Sequence, residues 1–255
     1  MEEKELCELR EIIEAQKKEI EALKKANVLW GKKWFATGDS YTEGDYSHAP
    51  YDDWRLEGNK RKTYPYFIAQ RNNMTVINDG KCGSILPLSK EHLADPENVP
   101  VTERRPFTVG RYLEIPEDVD YITLMFGAND ARHDELGTID DKENTTFYGA
   151  WNFILSYLLE KFPFAKIGII VTFGSQREYR EATREIARKW AIPMLDLMGD
   201  ERVPMIFGRE RELTACPEAV KLRKDAFVVS PENGHPGLRA HEYLSTTVEN
   251  FLRSL

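Results

Sequence analysis

Strongly apolar runs alternate along most of this chain with segments whose apolar residues recur at helical spacing. The runs DYITLMF at 120–126 and KIGIIVTF at 166–173 are apolar almost throughout, as expected for strands that are buried on both faces of a sheet. Between them, apolar residues recur every three or four positions from 147 to 158, which indicates a helix. This alternation of strand and helix favours a parallel sheet that is covered by helices on both faces.

Shorter patterns complete the predicted sheet. They indicate three more strands, at 33–37, 74–78 and 192–197, and three more helices, around 63–70, 179–190 and 241–251. Ligands of such sheets bind at the carboxyl ends of the strands. Two long segments without clear periodicity, 44–62 and 84–119, are therefore predicted to shape a substrate site at that edge.

The first 27 residues follow a different pattern, a heptad repeat. The repeat positions are three and four residues apart in alternation, with two polar interruptions, and they are Leu6, Leu9, Ile13, Gln16, Ile20, Leu23 and Asn27. The other positions are mostly Glu and Lys, so a helix here has one apolar face that needs a partner. We predict a coiled-coil helix at 1–28, through which the chain forms homo-oligomers by residues 1–27, and one globular domain at 29–255. The alternative is a helix that lies against its own domain.

Composition narrows the range of functions. The net charge of −8 and the pI of about 5.3 disfavour binding to a nucleic-acid backbone. No apolar run reaches the ~18 residues of a membrane span, and the charged N-terminus lacks the apolar core of a signal peptide. The cysteines are Cys7, Cys82 and Cys216, and their wide spacing predicts neither a disulfide framework nor a zinc site.

Four short polar stretches lie at predicted strand ends or in loops. They are GDSYTEG at 38–44, NDGKCG at 78–83, GAND at 127–130 and ENGHP at 232–236. The first three follow predicted strands directly, and the fourth precedes the last predicted helix. Because a doubly wound parallel sheet gathers its strand ends at one rim, the four stretches are predicted to meet there.

The residue types in these stretches fit acyl transfer. Ser40 is the candidate nucleophile, and His235 is the candidate base that takes its proton and later returns it to the leaving alcohol. The oxyanion hole is predicted to consist of the backbone N–H groups of Ser40 and Gly83 and the side-chain amide of Asn129. Gly80 competes with Gly83 for the second of these roles, and the spacing from the preceding strand favours Gly83.

Carboxylates fill the supporting roles. Glu232 lies three residues before His235 and is the candidate to orient the imidazole. Asp196 and Asp225 are alternative partners for the imidazole. Asp39 and Asp130 are expected to brace the loops of the site rather than to react.

Taken together, the stretches resemble the sequence blocks of the SGNH hydrolases, also called GDSL esterases and lipases. The family pattern is G-D-S, a glycine, G-x-N-D and D-x-x-H, and Ser40, Gly83, Asn129 and His235 follow in that order. The resemblance covers residues 31–255, and the segment from 127 to 170 is similar to a bacterial and phage-associated branch. It implies a three-layer α/β/α sandwich around a five-stranded parallel sheet, of flavodoxin-like type, with no metal and no organic cofactor.

The resemblance implies serine-dependent hydrolysis of carboxylic esters. One departure concerns Glu232, which stands where the family has aspartate. The branch and the aromatic, polar loop at 46–66 favour an O-acetylated carbohydrate as substrate. The alternatives are a lipase or thioesterase, which would need a wide apolar groove, and a glycan-binding oligomeric component of a surface or tail structure without activity. Without a signal peptide, the expected location is the cytoplasm or a phage virion.

Overall fold

The computed structural model describes residues 2–88, 104–207 and 216–255, so part of the predicted loop at 84–119 lies outside the described residues. Its helices are α1 Glu2–Ala26, α2 Ser40–Glu43, α3 Tyr64–Asn72, α4 Asp130–His133, α5 Phe147–Lys161, α6 Arg177–Lys189, α7 Pro217–Phe227 and α8 Leu238–Ser254. Its strands are β1 Lys33–Gly38, β2 Thr75–Gly80, β3 Tyr121–Met125, β4 Lys166–Val171, β5 Met194–Asp196, β6 Val228–Ser230 and β7 Asn233–Pro236.

Five strands form one parallel sheet in the order β2-β1-β3-β4-β5. The chain starts in β1, moves outward to β2, and then crosses back over β1 to β3. The order therefore reverses between β1 and β3, and the crevice at such a reversal is where doubly wound folds bind their ligands. The predicted five-stranded parallel sheet is confirmed.

Helices cover both faces of this sheet, because neighbouring residues of each strand point to opposite faces. In β1, Phe35 packs with α5 and α6, whereas Trp34 packs with α3 and α8. Both side chains are almost fully buried. The predicted three-layer α/β/α sandwich is confirmed, with one apolar core on each side of the sheet.

The C-terminal part of the domain differs from the sequence prediction. Helix α7 was not predicted, and its residues show no buried face that would produce a clear apolar period. Strands β6 and β7 form a small antiparallel hairpin apart from the main sheet. The hairpin positions His235, so this unpredicted element decides the geometry of the site.

Helix α1 extends through 25 residues, and all its described side chains up to Leu23 are exposed. The alternative in which α1 buries its apolar face on its own domain is therefore not what the structure shows. At its end, Asn27 donates a hydrogen bond from Nδ2 to Oδ1 of Asn72 at 2.9 Å. Across the described residues, no helix is both long and apolar enough to cross a lipid bilayer.

Candidate active site

The candidate nucleophile lies at the end of β1, at the reversal of the strand order. Gly38 ends the strand, and a Cβ atom there would lie only 2.8 Å from the backbone oxygen of Met125. Asp39 then caps the short helix α2, because its Oδ1 accepts a hydrogen bond from the backbone N–H of Tyr41 at 2.9 Å. Ser40 is the first residue of that helix. The turn that carries Ser40 is thus fixed by the close approach of Gly38 to the backbone of β3 and by the Asp39 carboxylate, which caps α2.

The structure brings Ser40 and His235 into contact. The Ser40 hydroxyl lies 2.9 Å from Nε2 of His235, although the two residues are 195 positions apart in the chain. Ser40 is buried, and the His235 side chain retains 32% of its exposure. Burial lowers the pKa of His235 below its ordinary value, and the charge of Asp45 acts in the opposite direction. The imidazole is therefore neutral at neutral pH and able to accept a proton.

Asn233 fixes which imidazole nitrogen carries the proton. Its Oδ1 lies 2.7 Å from Nδ1 and 3.0 Å from the backbone nitrogen of His235. Because a backbone N–H can only donate, the atom of Asn233 that faces it must be the oxygen. Its Nδ2 faces the backbone oxygens of Asp45, at 3.1 Å, and Ser47, at 2.8 Å, which only accept. The amide orientation is thus determined by its neighbours. Because Oδ1 must accept, Nδ1 carries the hydrogen and Nε2 presents its lone pair to Ser40.

Asp45 supplies a carboxylate near the same imidazole. Its Oδ2 lies 3.7 Å from Nδ1 of His235, beyond hydrogen-bond distance but within the range of an ion pair. Its Oδ1 accepts hydrogen bonds from the backbone N–H of Ser47 at 2.9 Å and from its hydroxyl at 2.6 Å. Burial raises the pKa of Asp45, but the Ser47 hydrogen bonds, the His235 charge and the Asn233 amide together hold it below the ordinary value. A negative charge therefore lies beside the imidazole.

The structure does not bring Glu232 to the imidazole, contrary to the sequence expectation. Glu232 lies exposed in the turn before β7, whereas Asn233 is buried and occupies Nδ1. The reason is the extended backbone of β7, in which residues two apart share a face, so that Asn233 and not Glu232 lies on the face of His235. The alternative carboxylates lie elsewhere: Asp196 pairs with Arg184 at 2.7 Å, and exposed Asp225 pairs with Lys221 at 2.6 Å.

Of the three predicted oxyanion donors, Ser40 follows β1 itself, and the other two follow the strands that flank β1. Gly83 follows β2 and has a φ of 75°, a left-handed conformation that favours glycine. Asn129 follows β3, and its Nδ2 donates a hydrogen bond to the backbone oxygen of Ser84 at 3.0 Å. That bond uses one of the two amide hydrogens and joins the two loops. The second amide hydrogen forms no hydrogen bond to another described residue.

Two buried aspartates hold the loops around these donors. Asp130 accepts hydrogen bonds from the backbone N–H groups of Leu86, at 2.7 Å, and Gly127, at 2.8 Å, and so ties together the loops after β2 and β3. Burial raises the pKa of Asp130 to about 6 and that of Asp39 to about 7. Both side chains are fully buried.

Arg111 supports the loop after β2 through contacts on both sides of that loop. The sequence patterns gave no indication of this role. The side chain is fully buried and forms a 2.7 Å ion pair with Asp79 at the end of β2. It also donates hydrogen bonds to the hydroxyl of Ser84 at 2.6 Å and to the backbone oxygens of Arg104 and Arg105. One guanidinium thus fixes the segments on both sides of Gly83.

The rim of the site is polar and aromatic. The Tyr41 ring centroid lies 5.5 Å from that of His235 and 4.8 Å from that of Phe173. Arg105 is exposed and lies beside Gly83, since a Cβ atom placed on this glycine would be 3.4 Å from Nε of Arg105. A cleft of about 460 Å³ lies next to the His235 hairpin, and it is lined by Tyr51, Asp52, Asp53, Ala226, Phe227, Val228, Gly237, Leu238 and Arg239. Within the described residues, no group of three or more His, Cys, Asp or Glu side chains is arranged to bind a metal ion.

Solved structures resemble the whole domain. A protein from Lactobacillus plantarum is 22% identical, with a TM-score of 0.62, over 88% of this chain and 98% of that one. A protein described as a GDSL-like lipase, from Bacteroides ovatus, is 18% identical, with a TM-score of 0.58, over 88% and 99% of the two chains.

The fold is that of the SGNH, or GDSL, hydrolases. A second protein described as a GDSL-like lipase, from Bacteroides uniformis, agrees with this at 18% identity and a TM-score of 0.57, over 88% and 97% of the chains. At these identities the likeness concerns the SGNH fold and not the substrate. No family model and no curated protein matches the chain.

Sequence reasoning missed Asn233 and Asp45. The signal for Asn233 was its distance of two residues from His235, which places both side chains on one face if the segment is extended. The signal for Asp45 was the sequence Asp-Tyr-Ser, since an aspartate two residues before a serine often accepts a hydrogen bond from its backbone N–H. The contact between Asp45 and His235, however, joins parts of the chain that no local pattern relates.

Proposed function

We propose that this chain is a serine-dependent carboxylic-ester hydrolase of the SGNH family and that it removes acetyl groups from an O-acetylated carbohydrate. The observation that carries the proposal is the 2.9 Å contact between the Ser40 hydroxyl and Nε2 of His235, whose Nδ1 is held by Asn233. A serine beside an unprotonated, oriented imidazole nitrogen is the arrangement that acyl transfer requires.

In the first half of the reaction, the Ser40 oxygen attacks the ester carbonyl carbon and its proton passes to Nε2 of His235. The carbonyl oxygen becomes an oxyanion, which accepts hydrogen bonds from the backbone N–H groups of Ser40 and Gly83 and from the Asn129 amide. The imidazolium that forms is stabilised by the negative charge of Asp45 at 3.7 Å. When the C–O bond breaks, Nε2 returns the proton to the leaving alcohol and the acyl group stays on Ser40.

In the second half, a water molecule takes the place of the alcohol. His235 accepts its proton as the water oxygen attacks the acyl carbon, and the same donors hold the oxyanion. Collapse of the intermediate releases the carboxylic acid, and the proton on Nε2 returns to the Ser40 oxygen. Asn233 keeps Nδ1 protonated throughout, so Nε2 alone exchanges the proton.

The rim residues and the cleft beside the His235 hairpin support a polar substrate over a lipid. The rim carries Arg105 and Tyr41, and the neighbouring cleft combines the aromatic side chains of Tyr51 and Phe227 with acidic and basic ones. Aromatic faces beside hydrogen-bonding groups suit a sugar ring, whereas a long acyl chain needs a continuous apolar groove. Loop 44–62, which was predicted to shape the substrate site, contributes Tyr51 to this cleft.

Acetate release from O-acetylated polysaccharides, measured beside hydrolysis of short-chain and long-chain p-nitrophenyl esters, tests the proposal. We expect the native protein to release acetate from a polysaccharide and to prefer the short-chain ester, and the Ser40→Ala variant to do neither. Preference for long acyl chains would instead support a lipase or thioesterase. Binding of a polysaccharide without hydrolysis of any ester would support a glycan-binding component.

A further inference from the structure

Helix α1 carries a row of apolar side chains that no other described part of the chain covers. The exposed fractions lie between 48% and 65% at the apolar heptad positions, which are Leu6, Leu9, Ile13, Ile20 and Leu23. A contiguous apolar stripe of this kind marks an interaction surface, because most of the stability of a helix in a protein comes from packing its apolar face. We call these five residues together with Gln16 the seam.

We propose that the seam packs against the seam of a second copy of this chain, in parallel and in register, as a two-stranded coiled coil. From Leu6 to Leu23 the seam is about 26 Å long, at 1.5 Å per residue. The proposal does not rest on the hydrolase function, since it concerns a helix that contributes no residue to the candidate active site.

The branching of the seam side chains favours two strands. Counting Leu6 as position a, Ile13 and Ile20 also occupy a positions, and Leu9 and Leu23 occupy d positions. In parallel coiled coils, β-branched residues at a positions with leucine at d positions favour dimers. The shape of each of these side chains fits the angle at which it packs at that position of a two-stranded coil. Isoleucine at both positions would favour a higher number of strands, and this chain has none at d.

The flanking charges decide the direction of the two helices. The e positions are all basic, Arg10, Lys17 and Lys24, while the charged g positions are both acidic, Glu5 and Glu19. In a parallel pair, each g side chain faces the e side chain five residues later in the other helix. Glu5 then meets the partner's Arg10, and Glu19 meets the partner's Lys24. In an antiparallel pair, e faces e, and the three basic side chains would face one another.

Gln16 favours the in-register arrangement. It occupies a d position at the middle of the seam, where in register it meets Gln16 of the partner subunit and the two amides hydrogen-bond to each other. An antiparallel pair centred on the seam would place Gln16 against Ile13 and bury an amide without a partner. A parallel pair shifted by one heptad would place Gln16 against Leu9 or Leu23 and would likewise bury its amide without a partner, so Gln16 favours the parallel pair that is in register.

The last heptad position belongs to the domain and not to the seam. Asn27 accepts a hydrogen bond at Oδ1 from the Arg253 guanidinium at 2.9 Å, in addition to the bond that it donates to Asn72. These contacts join the end of α1 to α3 and α8. A parallel pair therefore presents both domains at the same end of the coiled coil, which lets one dimer bind a polymer at two places.

Disulfide trapping of the full chain tests the direction and register. In a chain whose exposed Cys7 and Cys216 are replaced by serine, Leu9→Cys places one thiol opposite its copy only if the helices are parallel and in register. We expect mild oxidation to give a dimer that a reductant separates. The matched control is Lys18→Cys, on the outer face of the same helix, which we expect to remain uncrosslinked. Equal crosslinking of both variants, or none of Leu9→Cys, would overturn the proposal.

Sedimentation equilibrium of the full chain tests the stoichiometry. We expect a mass of twice the 29.5 kDa of one chain at high concentration, and dissociation on dilution because the seam is short. Replacement of Ile13 and Ile20 by Asp should give monomers with unchanged esterase activity, since both side chains are exposed in the single chain. Replacement of Ala15 and Ala22 by Asp, on the outer face, should leave the dimer intact. A monomer or a trimer of the native chain would overturn the proposal.

Discussion

At the scale of single residues, two side chains from different parts of the chain surround the outer nitrogen of the His235 imidazole. The Asn233 amide oxygen lies 2.7 Å from Nδ1 of the imidazole, and the Asp45 carboxylate lies 3.7 Å from the same nitrogen. An asparagine performs the orienting role in papain-like cysteine proteases, so an amide is sufficient to fix an imidazole tautomer. The arrangement separates two tasks, since Asn233 fixes the proton position and Asp45 supplies the charge.

The first prediction concerns Asn233. Asn233→Ala removes the acceptor at Nδ1 and lets the imidazole turn or change tautomer, so we expect kcat on p-nitrophenyl acetate to fall by roughly 10²–10⁴. Glu232→Gln is the matched control, because Glu232 is adjacent in sequence and exposed, and we expect a change of less than about twofold. A large loss for Glu232→Gln with a small loss for Asn233→Ala would restore the sequence expectation.

The second prediction concerns Asp45 and the pH dependence. His235 must be neutral to act as base, so activity falls as the pH falls through its pKa, which burial holds below the ordinary value. Asp45→Asn removes the charge that raises this pKa, and the acid limb of kcat/KM should therefore move to lower pH. We also expect kcat to fall about tenfold, or about 1.4 kcal/mol. An unmoved acid limb would show that Asp45 does not act on the imidazole.

The third prediction concerns Asn129. In the proposed reaction its amide binds the oxyanion, which develops in the transition state and is absent from the bound ester, so Asn129→Ala should lower kcat by roughly 10²–10³ with little change in KM. Steady-state kinetics on p-nitrophenyl acetate measure both constants. A raised KM with an unchanged kcat would make Asn129 a substrate-binding residue instead.

At the scale of elements, the loop after β2 depends on a residue far from it in sequence. Arg111 is buried with Asp79, and removal of one partner of such a pair leaves an uncompensated buried charge. We expect Arg111→Met to lower the free energy of unfolding by about 3–5 kcal/mol in urea denaturation. The control is Arg202→Met, whose ion pair with Asp200 lies at the surface, and we expect no measurable change. Equal effects of the two variants would contradict this role of Arg111.

The elements that the sequence predicts are those with strong local signals. Strands β3 and β4 are buried on both faces, so they read as continuous apolar runs. The β6–β7 hairpin is short, and its residues pack against loop 44–62 through contacts such as that of Asn233 with Asp45, so its pattern is set by tertiary structure. Ser40 and His235 were predictable because each lies in a local sequence motif. The partner of the imidazole was not, because contacts between distant segments of the chain determine it.

At the scale of the whole molecule, the described residues form an α/β/α sandwich and helix α1, whose apolar face no other described residue covers. The two parts are joined at Asn27, and the candidate active site lies entirely within the domain. Deletion of the seam and loss of the nucleophile are therefore expected to have independent effects. Substitutions in the seam of α1 should change the oligomeric state, and substitutions at the rim of the sheet should change the catalytic rate.

In the proposed reaction, Ser40 becomes acylated with the help of His235. Mass spectrometry of the protein after treatment with a serine-reactive fluorophosphonate measures this directly, because the probe reacts only with a serine that a nearby base activates. We expect one adduct per chain, on the peptide that contains Ser40, and none on the Ser40→Ala or His235→Ala variants. An adduct on another residue, or labelling of Ser40 at an unchanged rate in the His235→Ala variant, would contradict the account.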